Sequence, residues 1–593
     1  MSRMASPSTR SVPVPPPPDS PAGERHPAPP RRWLPEDFRA DSFAALEPYL
    51  SDLEARDLQG PEELERWILD RSELESWLGE EGSRRNLAAA RHTDDAEAER
   101  AHLEFQTELL PRVKPVMDRL DRKFLACPHR HSLDARTWEV FVRETERSVE
   151  LFREENVAIE AELEELCVEY GRLTGAMTVE YRGETLTLPA LARFAEETDR
   201  SVREETWRLA AERRFRDADA FESLFDRMVE KRQRIAANAG FANYRDYAHA
   251  AAHRFDYSPE DCLAFGENVA RYVVPVVARM RAWRREALGL ESLRPWDLAV
   301  DPFATPAFQP FTDQEGQVRV AGELIERVRP SFRGELEWMQ ASGLLDLESR
   351  PHKRPGGFMD VLEGVRWPFV FANSGTTHGD VETLVHETGH ALHALFARDR
   401  EPVDYRHAPI EFAEVASMGL EAMAMEGLGD VYPPEQVRAA RLRSLEGIAG
   451  LFPWVAMVDG FQQWVYTHPG HSREDRMVAW EALRGRFSVG TDDSGLEPYL
   501  ARGWHRQLHV FEVPFYYVEY AIAQIGALQL WRAFRRDPEA AVDAYVRGLA
   551  LGGSRPLPEL FEAAGLVFDP RGESLGELMA ELEQAWRVEV GLE

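Results

Sequence analysis

Three cysteines in 593 residues, Cys127, Cys167 and Cys262, are too few and too far apart for a disulfide framework. None belongs to a C-x-x-C pair, so a metal site would have to use histidine and carboxylate, and a reducing compartment fits. Lysine is scarce as well, at positions 114, 123, 231 and 353 only, and carries no functional message. Long apolar runs are missing: the strongest, "IAGLFPWVAMV", is too short to cross a bilayer and contains Pro453. No lysine follows a glycine, which removes the P-loop. "GLGDVY" lacks the last glycine of a dinucleotide fingerprint, and there is no G-x-S-x-G nucleophile elbow. The opening stretch, with its run of four prolines, has no apolar core of the signal-peptide kind. A net charge of −32 argues against nucleic acid and anionic membrane as partners. A soluble, cytoplasmic protein of two or more lobes is expected; its oligomeric state is left open.

What is present is mostly helix. Residues 1–35 read as a disordered, proline-rich tail. Residues 36–190 read as an N-terminal helical region, and "MTVEYRGETLTL" near its end as a hairpin turning at Arg182-Gly183. From 191 to 593 helices resume, with Gly240 as one stop. They are interrupted by "GGFMDVLEGVRWPFVFANSG", whose β-branched and aromatic runs predict a small sheet. The fold class is mainly α, with a small β element before the most informative segment.

That segment is "VETLVHETGHALHALF", residues 381–396. At 100° per residue, Val381, Leu384, Val385, Leu392, Leu395 and Phe396 form one apolar stripe. The other side carries Gly379, Thr383, His386, His390 and His393, which are polar and mostly small. Thr377 and Asp380 form a capping box, and Pro402 lies beyond the far end. His386 and His390, one turn apart, can aim ring nitrogens at one metal ion, with Glu387 placed to serve as a base towards water. His393 reads as a cleft residue. The metzincin pattern fails, since its third histidine is Phe396. A third ligand must come from elsewhere, and "PIEFAEVASMGLEAMAME" offers Glu411, Glu414 and Glu421 on one helical face. Spacing alone does not choose between Glu411 and Glu414.

"GDVETLVHETGHALH", "FAEVAS" and "HVFEVPFYYVEYA", in that order, resemble the thimet oligopeptidase and oligoendopeptidase F family of zinc metallopeptidases, most nearly its bacterial oligoendopeptidase branch. The resemblance covers roughly residues 100–585. It implies a zincin-like, gluzincin-type, two-lobed helical peptidase with a deep substrate channel. It implies one zinc per chain on His386, His390 and Glu414, with Glu421 orienting a ligand histidine. His509, Tyr517 and Tyr520 would contact the transition-state oxyanion, Tyr516 competing with Tyr517 because the family's spacing varies here. "PFVFANSG" resembles the family's cleft-edge strand, so Phe369, Phe371 and Asn373 are expected to bind substrate by β-addition. The expected activity is hydrolysis of oligopeptides of about 5 to 20 residues, with folded proteins excluded. Two other readings keep part of this pattern: a non-haem iron enzyme with a two-His-one-carboxylate site, and an inactive peptide-binding homologue.

Overall fold

Helices form where the apolar spacing places them. The computed structural model describes residues 25–305 and 308–592. Six helices matter here: α1 (Pro61–Arg91), α2 (Arg200–Arg216), α3 (His378–Ala397), α4 (Ile410–Ala424), α5 (Pro434–Thr467) and α6 (Tyr517–Arg536). α1 illustrates the local logic: Pro61 opens it, Glu62 and Glu63 sit in the first turn, and Leu64, Trp67, Ile68 and Leu74 are buried. The hairpin is as expected, β1 (Thr178–Tyr181) pairing antiparallel with β2 (Glu184–Thr187). Its turn residues Arg182 and Gly183 have φ of 52° and 84°, the two positive values of a type I′ turn.

Contacts divide the chain into two compact units. One contains Met1–Glu139, Gln309–Ala408 and Leu549–Ser554; the other contains Val140–Phe308, Pro409–Gly548 and Arg555–Glu593. This differs from a boundary near residue 190, because a helical pattern tells which residues are buried but not which helices share a core.

The first unit holds a three-stranded sheet of β3 (Leu345–Glu348), β4 (Phe358–Leu362) and β5 (Trp367–Ser374), in the order β3-β5-β4. β5 pairs parallel with β3 (Leu345 opposite Val370) and antiparallel with β4 (Phe358 opposite Phe371, Asp360 opposite Phe369). The expected cleft-edge strand is therefore the central strand. Phe369 and Phe371 are buried, and the Asn373 amide donates to the carbonyls of Arg354 (2.7 Å) and Gly356 (2.9 Å). The six successive buried residues of β5 are what a strand flanked on both sides looks like. The edges are β3, which is mostly buried, and β4, whose residues Phe358 to Val361 are half-buried.

A second correction concerns the proline-rich tail, of which residues 1–24, with the four-proline run, lie outside the described residues. From residue 25 the chain is docked on the first unit. Arg25 pairs with Glu335 (2.6 Å), and the carbonyls of His26 and Pro27 accept from Trp367 (2.8 Å) and Arg398 (2.7 Å). The Arg31 guanidinium lies 3.4 Å from the Trp77 ring centre. A proline-rich segment needs few backbone partners, so composition does not reveal that its side chains are held.

In the second unit α4 and α6 pack closely through glycine. A Cβ on Gly419 would lie 2.7 Å from Leu530, and one on Gly526 would lie 2.8 Å from Val415. This close approach brings the start of α6 alongside Glu414.

Candidate metal centre

Helix α3 starts at the predicted capping box. The Thr377 hydroxyl accepts from the Asp380 amide (3.3 Å), and the Asp380 carboxylate accepts from the amides of Thr377 (2.7 Å) and Gly375 (3.0 Å). The stripe residues Val381, Leu384, Val385, Leu392 and Leu395 are buried. His386 and His390 keep partial exposure and turn their Nε2 atoms to 3.2 Å from each other. Two zinc–nitrogen bonds in a tetrahedron place their nitrogens ~3.3 Å apart, so the pair is spaced as ligands are. Burial first, then His386 and His393, holds the His390 imidazole well below its ordinary pKa and so neutral, the form that coordinates a metal.

Glu414 is buried, and its Oε2 accepts from the Ser417 hydroxyl (2.9 Å). Ligand atoms of His386, His390 and Glu414 all lie within 4.8 Å of one another, the one such group of three among the described residues. Two imidazoles and a carboxylate are a donor set that suits zinc. Glu411, left open by spacing, has other partners: the Tyr257 hydroxyl donates to it at 2.5 Å, and Arg254 lies 3.9 Å away. Arg254 in turn pairs with Glu519 at 2.6 Å. Glu387 is buried beside the histidines, while Glu421 is half-buried two turns beyond Glu414 and outside the group. His393 is buried and neutral, its pKa pushed down to about 4 by burial and then by His407.

The aromatic segment is organised by residues that sequence reading did not single out. Arg232 donates to the Tyr466 hydroxyl (2.9 Å) and to the carbonyls of Val510 (3.3 Å) and Phe511. Phe515 takes a φ of 69°, a conformation costly for a bulky residue. It is held there by Gln462, which accepts from its amide (2.8 Å), and by Arg254, which donates to its carbonyl (2.6 Å). The turn delivers Tyr516, Tyr517 and Tyr520 around His509, with ring centres 5.6, 4.9 and 5.9 Å from the imidazole.

The three tyrosines differ in what they face. Tyr516 and Tyr520 pack edge to face, with ring centres 5.3 Å apart, and both feel the Glu414 charge; burial first, with that charge among the further causes, raises both hydroxyl pKa values. Tyr517 turns to Trp454, Gln507 and Arg506 instead, though burial still raises its pKa. Of the competing pair, Tyr516 is thus the one beside Glu414.

His509 has a fixed tautomer. The Trp454 indole N–H can only donate, so the Gln507 atom 3.0 Å from it is the amide oxygen. The Gln507 amide nitrogen then faces His509 Nδ1 at 2.6 Å and donates to it, which leaves the proton on Nε2. Burial pushes the His509 pKa down to about 4, so the ring is a neutral donor.

A helical scaffold carrying a His-Glu-x-x-His helix and a carboxylate from a following helix belongs to the zincin class. The profile of Peptidase family M3 matches residues 193–573, well over half the chain, and the chain belongs to that family. It is 23% identical over 409 residues to Oligopeptidase PepF of Bacillus subtilis, an alignment covering 64% of this chain and 60% of that one. It is 24% identical over 332 residues to the plasmid oligoendopeptidase F of Lactococcus lactis subsp. cremoris, covering 56% and 54%. The matched stretch thus spans less than two thirds of either relative's length. Among solved structures, Pz peptidase A with an inhibitor superposes with a TM-score of 0.86 at 25% identity, over 92% of this chain and 96% of that one.

Proposed function

We propose that the protein is a zinc-dependent endopeptidase that hydrolyses short peptides. The observation that carries this reading is the convergence of His386, His390 and Glu414 within 4.8 Å, with Glu387 between the two histidines in sequence. Family membership and the relatives' names, oligopeptidase and oligoendopeptidase, support the peptide substrate class.

A zinc ion held by the three ligands would supply Lewis acidity, making water acidic enough to ionise near neutral pH. The chain's own residues do the rest. Glu387 takes the proton of the attacking water and delivers it to the leaving amine. As the scissile carbonyl becomes tetrahedral its oxygen gains charge, and Tyr520 and the Nε2–H of His509 donate to it. Tyr516 steadies Tyr520 through their edge-to-face ring contact. We assign the extended substrate backbone to β4, the half-buried edge strand, instead of to Phe369, Phe371 and Asn373 of β5. The glycines before β4, Gly356 and Gly357, are exposed and leave a peptide room to approach. Peptides of about 5 to 20 residues and a cytoplasmic setting complete the reading. All three cysteines are free, which suits a reducing compartment, and no helix among the described residues is long and apolar enough to cross a membrane.

Metal analysis combined with cleavage of a mixed peptide library tests the proposal. One zinc per chain and cleavage within short peptides are expected, with zinc lost in Glu414→Ala and kept in Glu411→Ala. The opposite pattern, or full activity after exhaustive chelation, would overturn it.

A further inference from the structure

The second unit contains a cavity of about 420 Å³ that the chemistry above does not use. Its walls include Trp207, Trp296 and Trp454, and its volume is that of a small-ligand pocket. Six arginines line it against a single acidic residue, Asp493, in a chain whose net charge is −32. The overall field is therefore of the opposite sign, and the basic lining is a local feature.

Most of these arginines are already occupied. Arg203 pairs with Asp297 (2.9 Å), Arg484 pairs with Asp493 (2.9 Å), Arg281 donates to the Val489 carbonyl and Arg502 to that of Pro498 (3.2 Å). Arg214 and Arg506 are different: among the described residues neither guanidinium has a carboxylate or carbonyl partner. Burial, and then the Arg506 charge, pushes the Arg214 pKa down to about 10, so it remains cationic at neutral pH while lacking a counter-charge. Arg506 is ringed by protein yet keeps an exposed face, as a side chain in a cavity does, and its guanidinium lies 4.8 Å from the Trp454 ring centre. Stacking of this kind holds the planar fork in one orientation. Arg214 is half-buried and Arg506 exposed, and two like charges that feel each other are stabilised by one shared carboxylate.

The cavity also adjoins the reaction site. Trp454, one of its walls, donates to Gln507, which fixes His509, and Arg506 is near Tyr517. The cavity wall is thus linked to His509 through Trp454 and Gln507.

We propose that this cavity seats the C-terminal end of the substrate, with Arg214 and Arg506 taking the free α-carboxylate and the tryptophans taking an apolar terminal side chain. The assignment rests on the peptidase reading and adds to it a specificity: peptides cut near a free, apolar C-terminus.

Two matched peptides test it, one ending in phenylalanine as the free acid and the other as the amide. Their binding to full-length Glu387→Gln is measured by calorimetry, so that the result does not depend on turnover. The acid is expected to bind at least about tenfold more tightly than the amide. That ratio should fall towards one in Arg506→Gln and in Arg214→Gln, and recover in part in Arg506→Lys. A merely structural role for either arginine lowers both affinities together and leaves the ratio standing, which would overturn the proposal. Equal binding of acid and amide by the Glu387→Gln parent, or binding of neither, would overturn it without any arginine variant. A third peptide, amidated but carrying an internal aspartate, separates the two sources of carboxylate. If it binds as tightly as the free acid, the terminal assignment is wrong. Loss of cleavage in the wild type with the acid preference intact would instead count against the peptidase reading alone.

Discussion

Helix α3 and the segment from Gln507 to Tyr520 hold their chemical groups by opposite means. In α3 the support is local: a capping box at Thr377 and Asp380, a buried stripe, and 3.6-residue periodicity that sets His386 over His390. In the later segment the support is remote. Arg232, Arg254, Gln462 and Trp454 lie 50 to 280 residues away, yet they fix its carbonyls, its positive-φ turn and its histidine tautomer. A helix can present ligands from its own sequence; a loop can do so only if the tertiary structure over-determines it.

The first and largest effect sharpens the contrast on the local side. Glu387→Gln is expected to lower kcat by about 10²- to 10⁴-fold, because an amide cannot accept the proton of water. Metal content should stay at the wild-type level, since Glu387 is not among the three proposed ligands. Loss of metal together with activity would mean that Glu387 is part of the binding set instead of the base.

Next come the tyrosines. Tyr520→Phe should lower kcat by about 10²-fold with little change in KM, as removal of one oxyanion donor does. Tyr516→Phe should follow it in direction more closely than Tyr517→Phe, since the Tyr516 hydroxyl feels the Glu414 charge and Tyr517 faces Trp454 and Gln507. A larger kcat effect at Tyr517 than at Tyr516 would reverse the assignment.

These two regions also mark how far the sequence is legible. The helix, its cap, its stripe, the hairpin turn and the paired histidines all follow from short-range rules, and the structure agrees with each. Choosing between Glu411 and Glu414 is different, because both lie on one face of one helix. What separates them is Tyr257 and Arg254, more than 150 residues earlier in the chain, which engage Glu411. The central position of β5 was hidden for a similar reason: its neighbours come from segments whose pairing no local pattern dictates. Arg214 and Arg506 look like ordinary arginines in sequence, and only the cavity makes their lack of partners visible.

A smaller effect probes the remote side. Gln507→Leu removes the donor to His509 Nδ1 and frees the ring to place its proton on either nitrogen. A kcat loss on the order of tenfold is expected, comparable to loss of an outer hydrogen-bond partner at a catalytic histidine. Gln507→Glu offers only acceptors and should favour the opposite tautomer, with the proton on Nδ1. If Gln507→Glu matches wild type in kcat, the Nε2–H of His509 is not used.

The smallest effect belongs to the cap of α3. Thr377→Ala deletes the hydroxyl that accepts from the Asp380 amide, a change that costs about 1 kcal/mol at a helix N-terminus. Asp380 still accepts from the backbone amides of residues 375 and 377, so half of the capping box survives. His386 and His390 lie more than two turns further in, on a helix whose buried stripe is untouched. Hydrogen exchange of the first-turn amides should therefore quicken by about fivefold, the equivalent of that free energy, while kcat and metal content stay unchanged. A parallel fall in kcat would show that α3 depends on its cap for alignment of the histidines, and the distinction between a self-supported helix and a remotely held loop would fail on its stronger side.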